Sequence, residues 1–127
     1  AVIKRMVKDL NFPVKIIVAP TVRERDGLAM SSRNAYLSVA EREQASLLNE
    51  AIRLARREVR GADKPLPSGR LRKKIEKLVS RRPLGRLDYV EFFHPETLVV
   101  QTRVERGSHM AMAVFFGGTR LIDNGRL

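Results

Sequence analysis

The chain has no cysteine. That absence excludes disulfides, thiolate nucleophiles and cysteine-ligated zinc, and it fits a cytoplasmic protein. No apolar run approaches the ~20 residues needed to cross a bilayer as a helix. A secretory leader is not read at the start either: the opening AVIKRMVKDL mixes apolar and charged positions at helical spacing. Acidic residues are few, 14 against 25 Lys plus Arg, for a net charge of +11. No two carboxylates are placed as an acid–base pair, and no acidic cluster offers ligands to a metal. Such a balance creates a field that attracts phosphates of any kind, without choosing between a nucleotide and a nucleic acid. Histidine occurs only at His94 and His109. Internal repeats and low-complexity tracts are absent.

What remains is one domain's worth of chain, 127 residues. That length can bury roughly two thirds of its unfolded surface and build a core. Val2, Ile3, Met6, Val7 and Leu10 recur at helical spacing, but no capping residue precedes them, so the sequence reads as a piece of a longer protein. Asn11-Phe12-Pro13 breaks this helix. Val14 to Val18, VKIIV, then reads as a strand of the kind buried in a parallel sheet, and helix plus strand together read as a remnant of an α/β unit. An apolar strand without its sheet invites pairing with another copy, so self-association through residues 1–20 is expected.

Asp26-Gly27 predicts a hairpin, with Asp26 at the first turn position of a type I′ turn. Ser38 and Glu41 form a capping box. A helix is expected from there to about Arg60, with Ala45, Leu48, Ala51, Ile52, Ala55 and Val59 inward and Gly61 at its end. Ser68 is expected to cap a second helix to about Arg82, with Leu71, Ile75, Leu78 and Val79 inward. Leu87–Phe93, Leu98–Val104 and Met110–Phe116 predict three antiparallel strands, with Gly117-Gly118 bending the last and Thr119 to Ile122 continuing it past a bulge. The fold class is therefore α+β: two helices on a three-stranded antiparallel sheet, preceded by a remnant of a Rossmann-like nucleotide-binding domain. The divisions fall at 1–20, 21–34 and 35–127.

Chemistry concentrates in Thr21 to Asn34, TVRERDGLAMSSRN. Ser31 and Ser32 offer hydroxyl donors and Arg33 a guanidinium fork, a set that matches charge spread over phosphoryl oxygens. The plain alternative is that turn serines bond their own backbone while Arg33 is solvated. Glu24 and Asp26 are read as shaping the hairpin, and the two histidines as turn and strand-end residues.

The run IKRMVKDLNFPVKIIVAPTVRERDGLAMSSRNAYLS, and DGLAMSSRNAYLS within it most specifically, resembles pantothenate synthetases (pantoate–β-alanine ligases). The segment it resembles leads from the nucleotide-binding domain into the C-terminal domain, and GGTRLIDN resembles that domain's last strand. The match is weakest over Arg60 to Arg86. The resemblance implies a cytoplasmic homodimer of the nucleotidyltransferase superfamily that uses ATP to join pantoate to β-alanine through pantoyl adenylate. Met30-Ser31-Ser32-Arg33 is similar to the KMSKS loop, with Arg in place of its second Lys. By that likeness Ser31, Ser32 and Arg33 hold ATP phosphates, Arg33 stabilises the departing pyrophosphate, and Val22 and Met30 line the adenine end. A hinge near Pro20 to Val22 lets the domain close as a lid. Mg²⁺ rides on the phosphates without a protein ligand from this chain. The family's His-x-Gly-His motif and pantoate pocket are not in this sequence, so the fragment alone is expected to be inactive.

The alternative reading is a small basic nucleic-acid-binding module. Arg70, Arg72, Lys73, Lys74, Lys77, Arg81 and Arg82 supply its cations. They circle the helix, however, and no aromatics interleave to stack bases.

Overall fold

The computed structural model describes residues 1–127. Helix α1 (Val2–Asp9) buries none of its residues. It is held locally by an Arg5–Asp9 ion pair one turn apart. The expected VKIIV strand does not form: Val14 to Val18 run without a ladder partner, and Ile17 is 84% exposed. Its backbone groups need a neighbouring strand, and no other segment of this chain supplies one.

Ser38 caps α2 (Val39–Gln44) through the full reciprocal capping box with Glu41. The single helix expected to Arg60 is broken at Ala45–Ser46, and α3 (Leu47–Arg60) follows. Ala45 N bonds Arg42 O and Leu48 N bonds Ala45 O, both three-residue steps that tighten the chain. The break lets Ala45, Leu47 and Leu48 all turn inward. Helix α4 (Ser68–Val79) starts without the expected serine cap; Ser68 N instead donates to Thr102 O at 2.8 Å.

The main sheet has strand order β2 (Gly85–Phe93), β4 (His109–Phe116), β5 (Thr119–Arg126), all antiparallel. Two expectations are corrected here. Leu98–Val104 is not a sheet strand. Leu98 adopts φ +61° in a turn closed by His94 N to Val99 O, Val100 makes a single bridge to Phe93, and only β3 (Arg103–Val104) forms a ladder, with β1 (Leu66–Pro67). The third strand is instead β5, and Gly117-Gly118 is a hairpin turn. Gly117 takes the positive φ (+55°) that a type II′ turn requires at its first position.

Period-two alternation sends Met110, Met112, Val114 and Phe116 of β4 to one face, where they meet Ile52, Ala55 and Val59 of α3 and Leu71, Ile75 and Val79 of α4 in one core cluster. On the opposite face Arg86 lies 4.5 Å over the Phe115 ring, which keeps this half-buried aromatic covered. The architecture is α+β, two main helices over a three-stranded sheet, as the periodicities predict.

Candidate functional site

Residues 21–34 form a hairpin seated on the domain. Arg23 and Ala29 bridge its two arms, Met30 N donates to Val22 O at 3.0 Å, and Glu24 N donates to Leu28 O at 2.8 Å. The turn is not type I′. Asp26 has no positive φ; Gly27 alone does, at +92°, and its N–H bonds Glu24 O. Arg25-Asp26 occupy the centre of a type I turn, and Gly27 takes the left-handed bulge position of a three-residue loop. A Cβ at Gly27 would also stand 2.0 Å from the Asn49 amide nitrogen. Gly27→Ala is therefore expected to destabilise by about 1–2 kcal/mol, read from urea unfolding.

Two ion-pair systems fix the hairpin. Arg23 makes a bidentate contact with Asp123 of β5 (2.7 and 3.0 Å) and also donates to Gly27 O (2.9 Å). The Asp123 side chain is only 1% exposed. Arg42 of α2 bridges Glu24 (2.6 Å) and Asp26 (2.5 Å). Glu24 and Asp26 thus do more than shape the turn: they grip the body of the domain. Both titrate below the usual carboxylate range, chiefly through their hydrogen bonds to Arg42, with Asn34 adding to the effect on Glu24.

A depressed folded pKa means that the folded state binds fewer protons than the unfolded one. This contribution is complete above the unfolded values near 4.5 and 3.8 and fades as pH falls through the lower folded ones. In an acid titration followed by amide exchange, Glu24 to Leu28 should lose protection ahead of the β2–β4–β5 core. Arg42→Gln should remove that early step. A hairpin that melts with the core would contradict this.

Of the predicted site residues, Met30 to Arg33 stand at the hairpin's returning arm and Val22 on its first arm. Ser31 caps a 3₁₀ turn (Ser32–Tyr36), and its Oγ accepts from Arg33 N at 3.2 Å. The local serine role is therefore real, and it leaves the Ser31 O–H free to donate. Ser31, Ser32 and Arg33 are all exposed. Val22 and Met30, opposite one another across the hairpin, expose 68% and 62% of their surface.

A cavity of about 240 Å³ lies between the hairpin and β5, lined by Met30, Ser31 and Arg33 together with Thr21, Asn34 and Leu121 to Asn124. Val22 and Ser32 are not in its lining. Sequence reasoning missed Thr21, Asn34 and the β5 segment. Asn34 donates to Glu24 and Ala29 O, while its Oδ1 is buried without a partner. The signal for β5 was present in TRLIDN but pointed to a strand, not to a wall of this cavity. Asp123, the one carboxylate in the lining, is engaged by Arg23 and offers no vacant metal ligand.

His94 sits in an exposed turn, its Nδ1 accepting from Glu96 N and Thr97 N, while His109 begins β4 and stacks on Phe93 at 5.7 Å. Neither approaches the cavity lining. On α4 the cations do not form a free stripe: Arg72 pairs with Glu91 and Lys74 with Glu58, and Arg82 beyond its end pairs with Glu50.

The family model for pantoate–β-alanine ligase matches residues 1–126. The chain belongs to the pantoate–β-alanine ligase family. Curated relatives include the pantothenate synthetases of Caldicellulosiruptor bescii (44% identical over 124 residues) and Clostridioides difficile (47% over 125 residues). Each alignment covers 98% of this chain and 43% of the relative, so the chain spans less than half the length of the ligases it matches. Among solved structures, pantothenate synthetase from Thermus thermophilus superposes with a TM-score of 0.83 at 41% identity, covering 98% of this chain and 44% of that one. A Francisella tularensis pantoate–β-alanine ligase, complexed with beta-gamma ATP and β-alanine, gives a TM-score of 0.54 at 28% identity, covering 98% and 38%. No helix of this family member is long and apolar enough to cross a membrane.

Proposed function

We propose that this chain is the C-terminal part of an ATP-dependent ligase that condenses pantoate with β-alanine. The observation that carries this reading is the placement of the Met30-Ser31-Ser32-Arg33 run, exposed on a clamped hairpin, within a family match that covers almost the whole chain. In this reaction the pantoate carboxylate attacks the α-phosphorus of ATP, and pyrophosphate departs with the breaking P–O bond. The β-alanine amine then attacks the acyl carbon and AMP leaves with that bond's electrons.

The part assigned to this chain is electrostatic. Ser31 and Ser32 donate to phosphate oxygens, and Arg33 offers two parallel N–H groups to the charge gathering on pyrophosphate. Met30 supplies apolar contact beside the nucleotide base, and Val22 meets it through its backbone. Mg²⁺ binds phosphate oxygens, since the lining leaves it no free carboxylate.

The domain acts as a lid in a cytoplasmic homodimer of the nucleotidyltransferase superfamily. A hinge at Pro20 to Val22 is supported by the side-chain anchors, which begin at Arg23, while Val22 is tied through its carbonyl, which accepts from Met30 N. The exposed residues of α1 and of Val14 to Val18 suit contact with the remainder of the ligase. In the fragment alone they should drive self-association, and a clean monomer in concentrated sedimentation runs would refute that.

Catalysis needs every group held around one substrate, so the chain by itself should be inactive. The test is a chimera in which this chain replaces the matching portion of the Thermus thermophilus enzyme. Formation of pantothenate from pantoate, β-alanine and ATP is the expected result. A chimera that folds, binds ATP and yet gives no pantoate-dependent ATP–pyrophosphate exchange would sink the proposal.

A further inference from the structure

A cleft of about 520 Å³ opens where the C-terminal end of α3, the Arg106–Gly107 turn and the end of β5 meet. Arg56, Arg60, Arg106 and Arg126 line it with Gly107 and Leu127, and it shares no residue with the hydroxyl-loop cavity. Arg23, Arg42, Arg72, Arg82 and Arg120 each meet an Asp or Glu, while others, Arg25, Arg33 and Arg81 among them, do not; the cleft differs in gathering four unpaired arginines around one opening. None of the four in the cleft makes an ion pair. Asp63 and Glu105 lie in the adjoining groove beside Arg106, and neither is paired with a cation.

Like charges gathered without a counter-ion repel, so something must hold them. Backbone oxygens do part of this. Arg56 Nε donates to Arg126 O and Arg106 Nη2 to Arg60 O, both at 2.8 Å. Arg126 lies over Gly107, whose φ of +98° is the left-handed conformation that favours glycine. Each bond to a carbonyl uses one of a guanidinium's five N–H donors and leaves the others free. A helix-capping role explains Arg60 and Arg106, which sit at the negative end of α3. It does not explain Arg56 and Arg126.

We propose that this cleft is an anion site for an oligophosphate, two or three linked phosphoryl groups, distinct from the hydroxyl loop. Four forked cations from three segments, two of them one turn apart on α3, suit charge spread along a short chain better than a single phosphate. The lining holds one apolar residue, so recognition falls on the phosphates and not on a base.

The local reporter is His109, the cross-strand partner of Arg126. Its pKa is lowered, first by burial and then by Arg126. An anion neutralising Arg126 should raise it. The full chain is titrated with inorganic tripolyphosphate near physiological salt, by calorimetry and by NMR of His109. Saturable binding with an upward shift of the His109 pKa is expected. Arg56→Gln and Arg126→Gln should each weaken binding at least about tenfold, and Arg81→Gln, at an exposed arginine outside both cavities, should leave it unchanged. Tripolyphosphate and ATP are then compared on the Arg33→Gln protein. Equal affinity identifies the free phosphate chain as the ligand class, and tighter ATP binding that still needs Arg126 identifies a nucleotide's phosphate tail. Binding indifferent to both cleft substitutions, or displaced equally by sulfate at matched ionic strength, would overturn the proposal. So would an unmoved His109 in the unsubstituted chain, a readout that does not depend on any variant folding.

Discussion

Arg33→Ala, placed in the chimeric ligase, is expected to slow pantoate-dependent ATP–pyrophosphate exchange by about 10²–10³-fold, the scale of removing one pre-aimed donor from a developing anion. Its guanidinium is exposed and makes no ion pair, so the same substitution should leave the melting temperature almost unmoved. That pairing of a large kinetic effect with a negligible stability effect is the diagnostic result. Arg33→Lys retains the charge but not the fork, and should recover part of the rate. The loss should appear in kcat as well as kcat/KM, since the charge on pyrophosphate grows only as the bond breaks. If Arg33→Ala altered only KM for ATP, Arg33 would be a ground-state contact and its assignment to the departing group would be wrong.

Arg23→Ala should have the opposite profile. It leaves Asp123, 1% exposed, without its cation, and breaking such a pair by removing one partner is worth about 3 kcal/mol or more. For a domain of this size the melting temperature should fall by roughly 10 °C. The double substitution Arg23→Leu with Asp123→Leu should recover much of that stability, because the uncompensated charge is gone. In the chimera, however, the hydroxyl loop would lose its seat on β5, so stability restored without activity restored is the signature of a positioning contact. A loss below about 1 kcal/mol for Arg23→Ala would show that Asp123 is served adequately by its remaining bond to Asn124 N.

These contrasts also show what the amino-acid order discloses. Core faces were legible because burial imposes a period: Leu48, Ile52, Ala55 and Val59 on α3 and the alternate residues of β4 are all inward. Local polar signals were legible where they act over three or four residues, as in the Ser38–Glu41 box. The misreadings share a cause. Leu98 to Val104 has the β-branched content of a strand, but the left-handed Leu98 turn and the competition of β5 for the edge of β4 decide otherwise. The break at Ala45–Ser46 follows from which leucines the core admits, and no local propensity encodes that. At the site, Ser31 and Arg33 stood out by chemical type. Arg23–Asp123 did not, because a contact between residues 100 apart leaves no local trace.

That last contact sets an order of events during synthesis. Arg23 is made before its anchor, which lies 100 residues later in β5. At ~5–20 residues per second the ribosome releases Asp123 several seconds after Arg23. Until then α2 alone can tether the turn, through Arg42. A chain terminated before β5 therefore carries Ser31 and Ser32 on an unseated loop. Completion of β5 is thus the step that seats the hairpin on the domain.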